Sequence, residues 1–301
     1  MRRRLFVLAA CVGLVASAAT IATGQTALND KFFDSKGVKI RYVDVGQGEP
    51  VVLIHGFSSS IEGNWGAPGV IAALEHDFRV VALDCRGHGK SDKPHDAASY
   101  GNEMIEDVAR LMDHLSIRRA HIVGYSMGGA ITGKFIVAHP DRVITAVFGG
   151  SSPRLGWTAQ NERDSEVLAT SLEQGHGMRP LILRLLPPGE PKPADDVVDR
   201  QSQAAIGRND ALALAAVQRG GRQQVVTLAD VRALKMPLLA VIGSADPLKA
   251  GVDAFKKLLP SLNVVVIDGA THSGARGAPA RLEFRTAVHD FIAAHRVTPT
   301  M

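Results

Sequence analysis

Residues 122–130 read IVGYSMGGA and connect a short apolar run to a helical pattern of small residues, which continues until Pro140 stops it. This order predicts a strand, a sharp turn and a helix. Ser126 lies at the apex of the turn, with Gly124 and Gly128 two residues to either side. The stretch therefore predicts a serine held out of a strand–helix turn.

Glycine is expected at positions 124 and 128 for a steric reason. Where a strand turns sharply into a helix, the crossing chains leave no room for a Cβ atom at positions 124 and 128. The same turn directs the first free amides of the new helix, including that of Met127, at the space above Ser126. Such a serine is a candidate nucleophile with an anion-stabilising amide beside it.

The rest of the chain alternates in a way that predicts an α/β fold. Apolar runs of strand length occur at residues 51–54, 79–83, 120–123, 143–148, 237–242 and 263–267, and helical patterns separate most of them. A hairpin pattern at residues 31–43 precedes them. We expect a doubly wound, mainly parallel sheet.

One interval breaks this alternation. From residue 152 to residue 229 the patterns are helical only, with helices expected at residues 161–173, 194–206 and 210–219. We predict a helical cap inserted between two strands. The chain then divides into a signal peptide at 1–24, core segments at 25–151 and 230–301, and the cap at 152–229.

The N-terminus resembles an export signal. Three arginines precede an apolar segment, and small residues follow it. The formal net charge of the whole chain is +4, and residues 25–301 carry only +1, so the charge predicts no nucleic-acid partner. We expect export to the periplasm or secretion. If the segment stays uncleaved, residues 5–22 approach the minimum length of a membrane anchor.

A serine hydroxyl needs a base, and the base needs a group to orient it. Asp246 follows the strand at 237–242, and His272 follows the strand at 263–267. Because the carboxyl ends of parallel strands share one edge, Ser126, Asp246 and His272 are expected to meet there. Asp268 is the competing acid, but it lies only four residues before His272, so we favour Asp246.

Together these motifs resemble the α/β-hydrolase superfamily over residues 31–295, as a serine-nucleophile member with a helical cap. The resemblance rests on His55-Gly56-Phe57, the pattern from Asp84 to Ser91, the Ser126 turn, Gly243-x-x-Asp246 and Gly269-x-x-His272. It implies that Ser126 is the nucleophile, His272 the base and Asp246 the orienting acid. It also implies that the amides of Phe57 and Met127 form the oxyanion hole.

Other side chains have less specific interpretations. Trp65 and Trp157 either line an acyl pocket or only pack, and a run at residues 181–186 is candidate apolar wall of the cap. Arg86 is expected to brace loops. The sequence has no metal-ligand spacing, P-loop or dinucleotide fingerprint, so we predict no cofactor and no metal.

These features predict a serine hydrolase acting on a small acyl substrate, most simply a carboxylic ester. A C–C bond hydrolase, an aminopeptidase and a cofactor-free perhydrolase or haloperoxidase use the same three residues, and a fold does not separate them. A non-catalytic ligand-binding relative is the alternative from another class. The sequence does not determine the oligomeric state.

Overall fold

The computed structural model describes residues 28–297, so the predicted signal peptide at 1–24 lies outside the described residues. The eight strands of this part are β1 (Lys31–Ser35), β2 (Val38–Val45), β3 (Pro50–Ile54), β4 (Arg79–Leu83), β5 (Ala120–Tyr125), β6 (Val143–Gly149), β7 (Leu238–Gly243) and β8 (Asn263–Ile267). The α-helices are α1 (Val70–Leu74), α2 (Asn102–His114), α3 (Met127–Ala138), α4 (Ala159–Glu173), α5 (Arg179–Arg184), α6 (Asp195–Ile206), α7 (Ala211–Gly220), α8 (Leu228–Ala233), α9 (Lys249–Leu258) and α10 (Leu282–Ala293).

All eight strands form one sheet in the order β1-β2-β4-β3-β5-β6-β7-β8. The hairpin strands β1 and β2 are antiparallel to their neighbours, and the six strands β3 to β8 run parallel. The carboxyl ends of the parallel strands consequently share one edge of the sheet. This arrangement confirms the predicted mainly parallel sheet.

Both faces of the sheet are covered, which explains why the central strands are apolar throughout. Along β3, Val52 and Ile54 pack with α2, α3 and α9, whereas Val51 and Leu53 point to the opposite face and pack with α1 and α10. Each strand therefore contributes side chains to two apolar layers. The doubly wound prediction is confirmed.

Five helices, α4 to α8, lie between β6 and β7 and have an apolar cluster of their own, built from α4, α7 and neighbouring residues. Thr158 and Asp210 cap the N-termini of α4 and α7 with side-chain hydrogen bonds. The sequence did not predict α5 and α8. Each has six residues, which is too short for a helical period to be recognised.

The helix predicted between β3 and β4 differs from the observed one. The sequence pattern fits a helix over residues 67–76, but α1 has only five residues, and a turn of π-helix at Glu62–Gly66 precedes it. Gly69 separates the two, because its φ of 75° is left-handed and a right-handed helix cannot continue through it. In the described part of the chain, no helix combines the length and the apolar character needed to cross a membrane.

The turn between β5 and α3 generates a stability prediction. A Cβ atom on Gly128 would lie 2.0 Å from the carbonyl oxygen of Ile54, which is backbone and cannot move aside cheaply. Gly128→Ala should lower the free energy of unfolding by about 3 kcal/mol or more, the upper end for overpacking. Urea unfolding followed by circular dichroism measures the change.

Gly251 provides the matched control, because it lies inside α9 and its added Cβ would meet only Ser152 Oγ, at 3.9 Å. Gly251→Ala should leave stability unchanged or raise it by up to about 1 kcal/mol. Equal stabilities of Gly128→Ala and the parent protein would refute the steric account of the turn.

Candidate active site

Ser126 occupies a strained position between β5 and α3. Its φ is 54° and its ψ is −110°, a combination that non-glycine residues rarely adopt. Its backbone N–H donates to the carbonyl of Gly149 at 2.8 Å, which ties the turn to β6. A Cβ atom on Gly124 would lie 2.1 Å from the carbonyl oxygen of Gly128, so both glycines are sterically required. The predicted turn is present.

The structure brings the three predicted residues together. His272 Nε2 lies 2.9 Å from Ser126 Oγ, and His272 Nδ1 lies 2.8 Å from Asp246 Oδ2. A carboxylate only accepts, so Nδ1–H donates to Asp246 and Nε2 is left to accept from the serine hydroxyl. Asp246 and His272 are buried, and Ser126 is partly exposed. This is the geometry in which an imidazole can take a proton from a hydroxyl.

Asp268, the competing acid, lies elsewhere. It is exposed, and its Oδ1 accepts from Ser244 Oγ at 3.1 Å. Asp246 is held in place by a second bond, in which its Oδ1 accepts from the backbone N–H of Leu248 at 2.8 Å. Asp246, and not Asp268, is therefore the carboxylate that contacts His272.

The loop after β3 approaches the serine closely. A Cβ atom on Gly56 would lie 3.4 Å from Ser126 Cβ, and the N–H of Gly56 donates to Asn64 Oδ1 at 2.7 Å. Both Phe57 and Met127 line the cavity above the serine. Within residues 28–297, neither of their backbone amides donates to another protein group. Both amides remain candidates for an oxyanion hole.

His55 supports this loop from below. Its Nδ1–H donates to the carbonyl of Gly56 at 2.7 Å, and its Nε2 accepts from the backbone N–H of Cys85 at 3.0 Å. Burial lowers the pKa of His55, which keeps the ring neutral and able to make both bonds. His55 thus links the ends of β3 and β4 and shapes the loop that carries Phe57.

A cavity of about 990 Å³ opens between the cap and the carboxyl edge of the sheet. Ser126, His272 and Trp157 line it, together with the predicted apolar wall of Leu181, Ile182, Leu185 and Leu186. Leu181 and Ile182 also pack against the apolar cluster of the cap. The helical insert covers the serine, as expected of a cap.

Comparison with known proteins agrees with this geometry. The family described as alpha/beta hydrolase fold matches residues 49–175. A putative 2-succinyl-6-hydroxy-2,4-cyclohexadiene-1-carboxylate synthase of Bacillus subtilis is 26% identical over 250 residues, which cover 79% of this chain and 90% of that protein. The solved structure of a thermophilic esterase from Thermogutta terrifontis superposes with a TM-score of 0.72 at 22% identity, covering 89% of this chain and 100% of that one.

The chain has the α/β-hydrolase fold. A second relative is the 2-hydroxy-6-oxo-6-(2'-aminophenyl)hexa-2,4-dienoic acid hydrolase of Metapseudomonas resinovorans. It is 29% identical over 241 residues, which cover 78% of this chain and 80% of that protein. Family and relatives together support a hydrolytic role, and they leave the substrate open.

One site prediction is wrong. Trp65 was a candidate for the pocket wall, but it is completely buried among the apolar side chains that pack with α1 and is absent from the cavity lining. It lies in the π-helical turn at Glu62–Gly66, which directs the indole into the core. The neighbouring Asn64 reaches the cavity instead. The sequence around Asn64 and Trp65 does not show which of the two side chains points into the core.

Tyr125 is a site residue that the sequence reasoning missed. Its hydroxyl donates to the carbonyl oxygen of His272 at 2.6 Å, and the two rings lie 5.5 Å apart. Burial raises the pKa of Tyr125 well above its usual value, so the hydroxyl keeps its proton. Its position before Ser126 was visible in the sequence, but the bond joins residues 147 apart and needed the tertiary structure.

Arg86 braces the loops in the predicted way. Its guanidinium forms a bidentate pair with Asp107, at 2.6 Å for each bond, and donates to the carbonyl of Ser99. Cys85, beside it, is fully buried, and burial raises the pKa of its thiol well above the usual value. In the chain from residue 28 to residue 297, no cluster of side chains is suited to a metal ion.

The buried ring of His88 generates a pH prediction. His88 lies 5.2 Å from the ring of His55, and burial, with the nearby His55, lowers its pKa to about 3. The unfolded chain therefore binds more protons than the folded one below pH 6.5, so stability falls as the pH drops from 6.5 toward 3. The slope from one such group is at most about 1.4 kcal/mol per pH unit.

His88→Gln removes this titrating group and keeps a side-chain donor near the carbonyl of Arg86, which His88 Nδ1 contacts at 3.1 Å. Urea unfolding at pH 5.0 to 6.5 should show a shallower dependence of stability on pH for the variant. Above pH 7.5 the two proteins should have parallel slopes. Identical slopes below pH 6.5 would contradict the assignment of a buried neutral His88.

Proposed function

We propose that the protein is a serine hydrolase that cleaves carboxylic esters through an acyl-serine intermediate. The hydrogen-bonded chain from Ser126 through His272 to Asp246 is the observation that supports this most strongly. Nothing in the proposed chemistry requires a metal or an organic cofactor.

In the proposed first step, Ser126 Oγ attacks the ester carbonyl while His272 Nε2 accepts the hydroxyl proton. Asp246 keeps the proton on Nδ1 and stabilises the imidazolium. The amides of Phe57 and Met127 donate to the negative oxygen of the tetrahedral intermediate. His272 then gives its proton to the departing alkoxide, and the alcohol leaves.

The second step repeats this chemistry with water. His272 takes a proton from water, the hydroxide attacks the acyl-serine carbonyl, and the serine oxygen leaves with that proton. The acid is released and the serine is regenerated. Esters suit this site because their alkoxide leaving group needs only one proton from His272. We also propose that the enzyme is exported, acting in the periplasm or outside the cell, as its N-terminal residues indicate.

A C–C bond hydrolase is the second candidate, favoured by the 29% identity to the dienoic acid hydrolase over most of both chains. That reaction would use the same serine and histidine on a carbon–carbon bond. Assaying the protein with a dienoate of that kind beside nitrophenyl esters separates the two candidates by their relative kcat/KM.

Fluorophosphonate labelling tests the nucleophile. Ser126→Ala should abolish labelling and lower ester turnover by a factor on the order of 10⁴ or more, because residues of such a chain act as a unit. Circular dichroism should show an unchanged fold. Labelling of the folded Ser126→Ala protein at the parent rate would eliminate Ser126 as the nucleophile, and a parent protein that is neither labelled nor active would favour a non-catalytic role.

The two aspartates give this experiment an internal control. Asp246→Asn should lower kcat by a factor on the order of 10⁴, because an amide favours the wrong imidazole tautomer. Asp268→Asn should change kcat only a few-fold, since Asp268 bonds to Ser244 and not to His272. The reverse order of effects would reject Asp246 as the orienting acid.

The cap wall predicts acyl-chain selectivity. Leu185→Trp narrows the cavity and should shift the preferred nitrophenyl ester toward shorter acyl chains, by about 1–3 kcal/mol of discrimination per methylene. Labelling by a small fluorophosphonate should persist. Leu212→Trp is the matched control, because Leu212 is exposed on α7 and outside the cavity lining. Identical chain-length profiles for both variants and the parent would mean that this wall does not contact the acyl chain.

A further inference from the structure

The charged side chains that line the cavity are unevenly paired. Besides His272, three arginines and one aspartate line it. Arg184 lies 3.4 Å from Asp164, and Arg276 lies 2.7 Å from Glu190. Arg154 forms no ion pair with any residue of the described chain. The cavity therefore contains one guanidinium whose positive charge has no counterion among residues 28–297.

Arg154 belongs to the segment that leaves the sheet behind the nucleophile. This segment follows β6 and packs along α3, where Cβ atoms added to Gly129 and Gly133 would clash with Ser151 and Pro153. The backbone carbonyl of Arg154 accepts from the N–H of Val226 at 3.0 Å. The segment thus packs on α3 through Ser151 and Pro153, and its main chain at Arg154 is held by the bond from Val226.

The guanidinium of Arg154 is also held in place. Its Nη1–H donates to the carbonyl of Gly221 at 2.7 Å, and its central carbon lies 4.9 Å from the ring centre of Trp157. An arginine has five N–H donors in a planar fork. The single carbonyl satisfies one of them, which leaves the others for a ligand, and the contact with Trp157 reduces the side-chain freedom lost on binding.

A partly buried cation without a counterion is costly. Burial, with the nearby charge of Arg184, lowers the pKa of Arg154 to about 10, so the side chain is still charged at neutral pH. A bond to one backbone carbonyl does not need this charge, because a neutral amide side chain can donate it. The unused charge and donors are better explained by an anion that enters the cavity.

We propose that Arg154 binds a carboxylate on the substrate, at a distance from the ester that Ser126 attacks. The preferred substrates are then esters bearing one free carboxylate, either half-esters of dicarboxylic acids or esters of hydroxy acids. A carboxylate fits better than a phosphate monoester, because one unpaired guanidinium neutralises a single charge and its planar fork matches two oxygens. This inference rests on the proposed serine hydrolase function.

Two sets of paired substrates test whether Arg154 binds a carboxylate. The members of a pair have the same shape, and only one of them is charged. In the acyl arm, 4-nitrophenyl hydrogen succinate and glutarate are compared with 4-nitrophenyl 4-methylpentanoate and 5-methylhexanoate. In the alcohol arm, the acetyl ester of 4-hydroxybutyrate is compared with 4-methylpentyl acetate. The Ser126→Ala protein supplies the background rate for every substrate. We expect kcat/KM to favour the carboxylate member at least ten-fold in one arm, which also identifies the side that carries the charge.

Variants of Arg154 then test the assignment. Arg154→Met should reduce that preference to within about three-fold of unity, mainly by lowering kcat/KM for the carboxylate member of the pair. Arg154→Lys should retain part of it. Arg276→Met, at a lining arginine that already has a partner, should retain the full preference.

The unfavourable outcomes are distinct. Turnover of neutral esters with no carboxylate preference in either arm of the parent protein would overturn this inference alone. An equal loss on both members of a pair in Arg154→Met would make Arg154 a structural brace and would also overturn it. Absence of ester turnover and of fluorophosphonate labelling in the parent would overturn the proposed function and this inference together. If Arg154→Met does not fold, the proposal is tested by two other results. These are the carboxylate preference of the parent protein and its partial retention in Arg154→Lys.

Discussion

The contact between two backbones at the β5–α3 turn is the constraint on which the rest of the site depends. Gly128 lies against the carbonyl of Ile54 so closely that no Cβ fits, and this brings the start of α3 onto the end of β3. The close approach holds Ser126 at a positive φ and places the amides of Met127 and Phe57 near it. The strain at Ser126 is offset by the packing of the sheet and helices around it. Loosening this contact would affect the nucleophile and the oxyanion loop together.

Beneath this turn, the two buried arginines of the described chain are each paired with a carboxylate, which distinguishes them from Arg154. Arg41 bonds to Asp84 at 3.0 Å, and Arg86 forms its bidentate pair with Asp107. These pairs connect the hairpin, the loop after β4 and α2. Paired arginines beneath the site, together with a cavity arginine that has no ion pair among the described residues, form a charge distribution suited to an anionic ligand.

The core holds the reacting residues, and the cap forms the wall that selects the substrate. Ser126, Asp246 and His272 all come from loops at the carboxyl edge of a rigid sheet, so their relative positions depend on strands with many long-range contacts. The wall around Leu185 and the indole of Trp157 come from the inserted segment. Changes in the cap can alter which substrate enters without moving the reacting atoms, which is consistent with one fold serving many substrates.

The sequence by itself determined the sheet, the strained turn, and the histidine and aspartate that meet the serine. The reason is that strand and helix periods and the glycine spacing are local, and parallel strands bring their carboxyl ends to one edge whatever the loops do. Only the tertiary structure decided how the remaining side chains are directed. The π-helical turn sends Trp65 into the core, Tyr125 reaches a carbonyl 147 residues away, and Arg154 meets the cavity without a counterion. These side-chain directions depend on contacts between residues that are far apart in the sequence, which a local sequence pattern does not show.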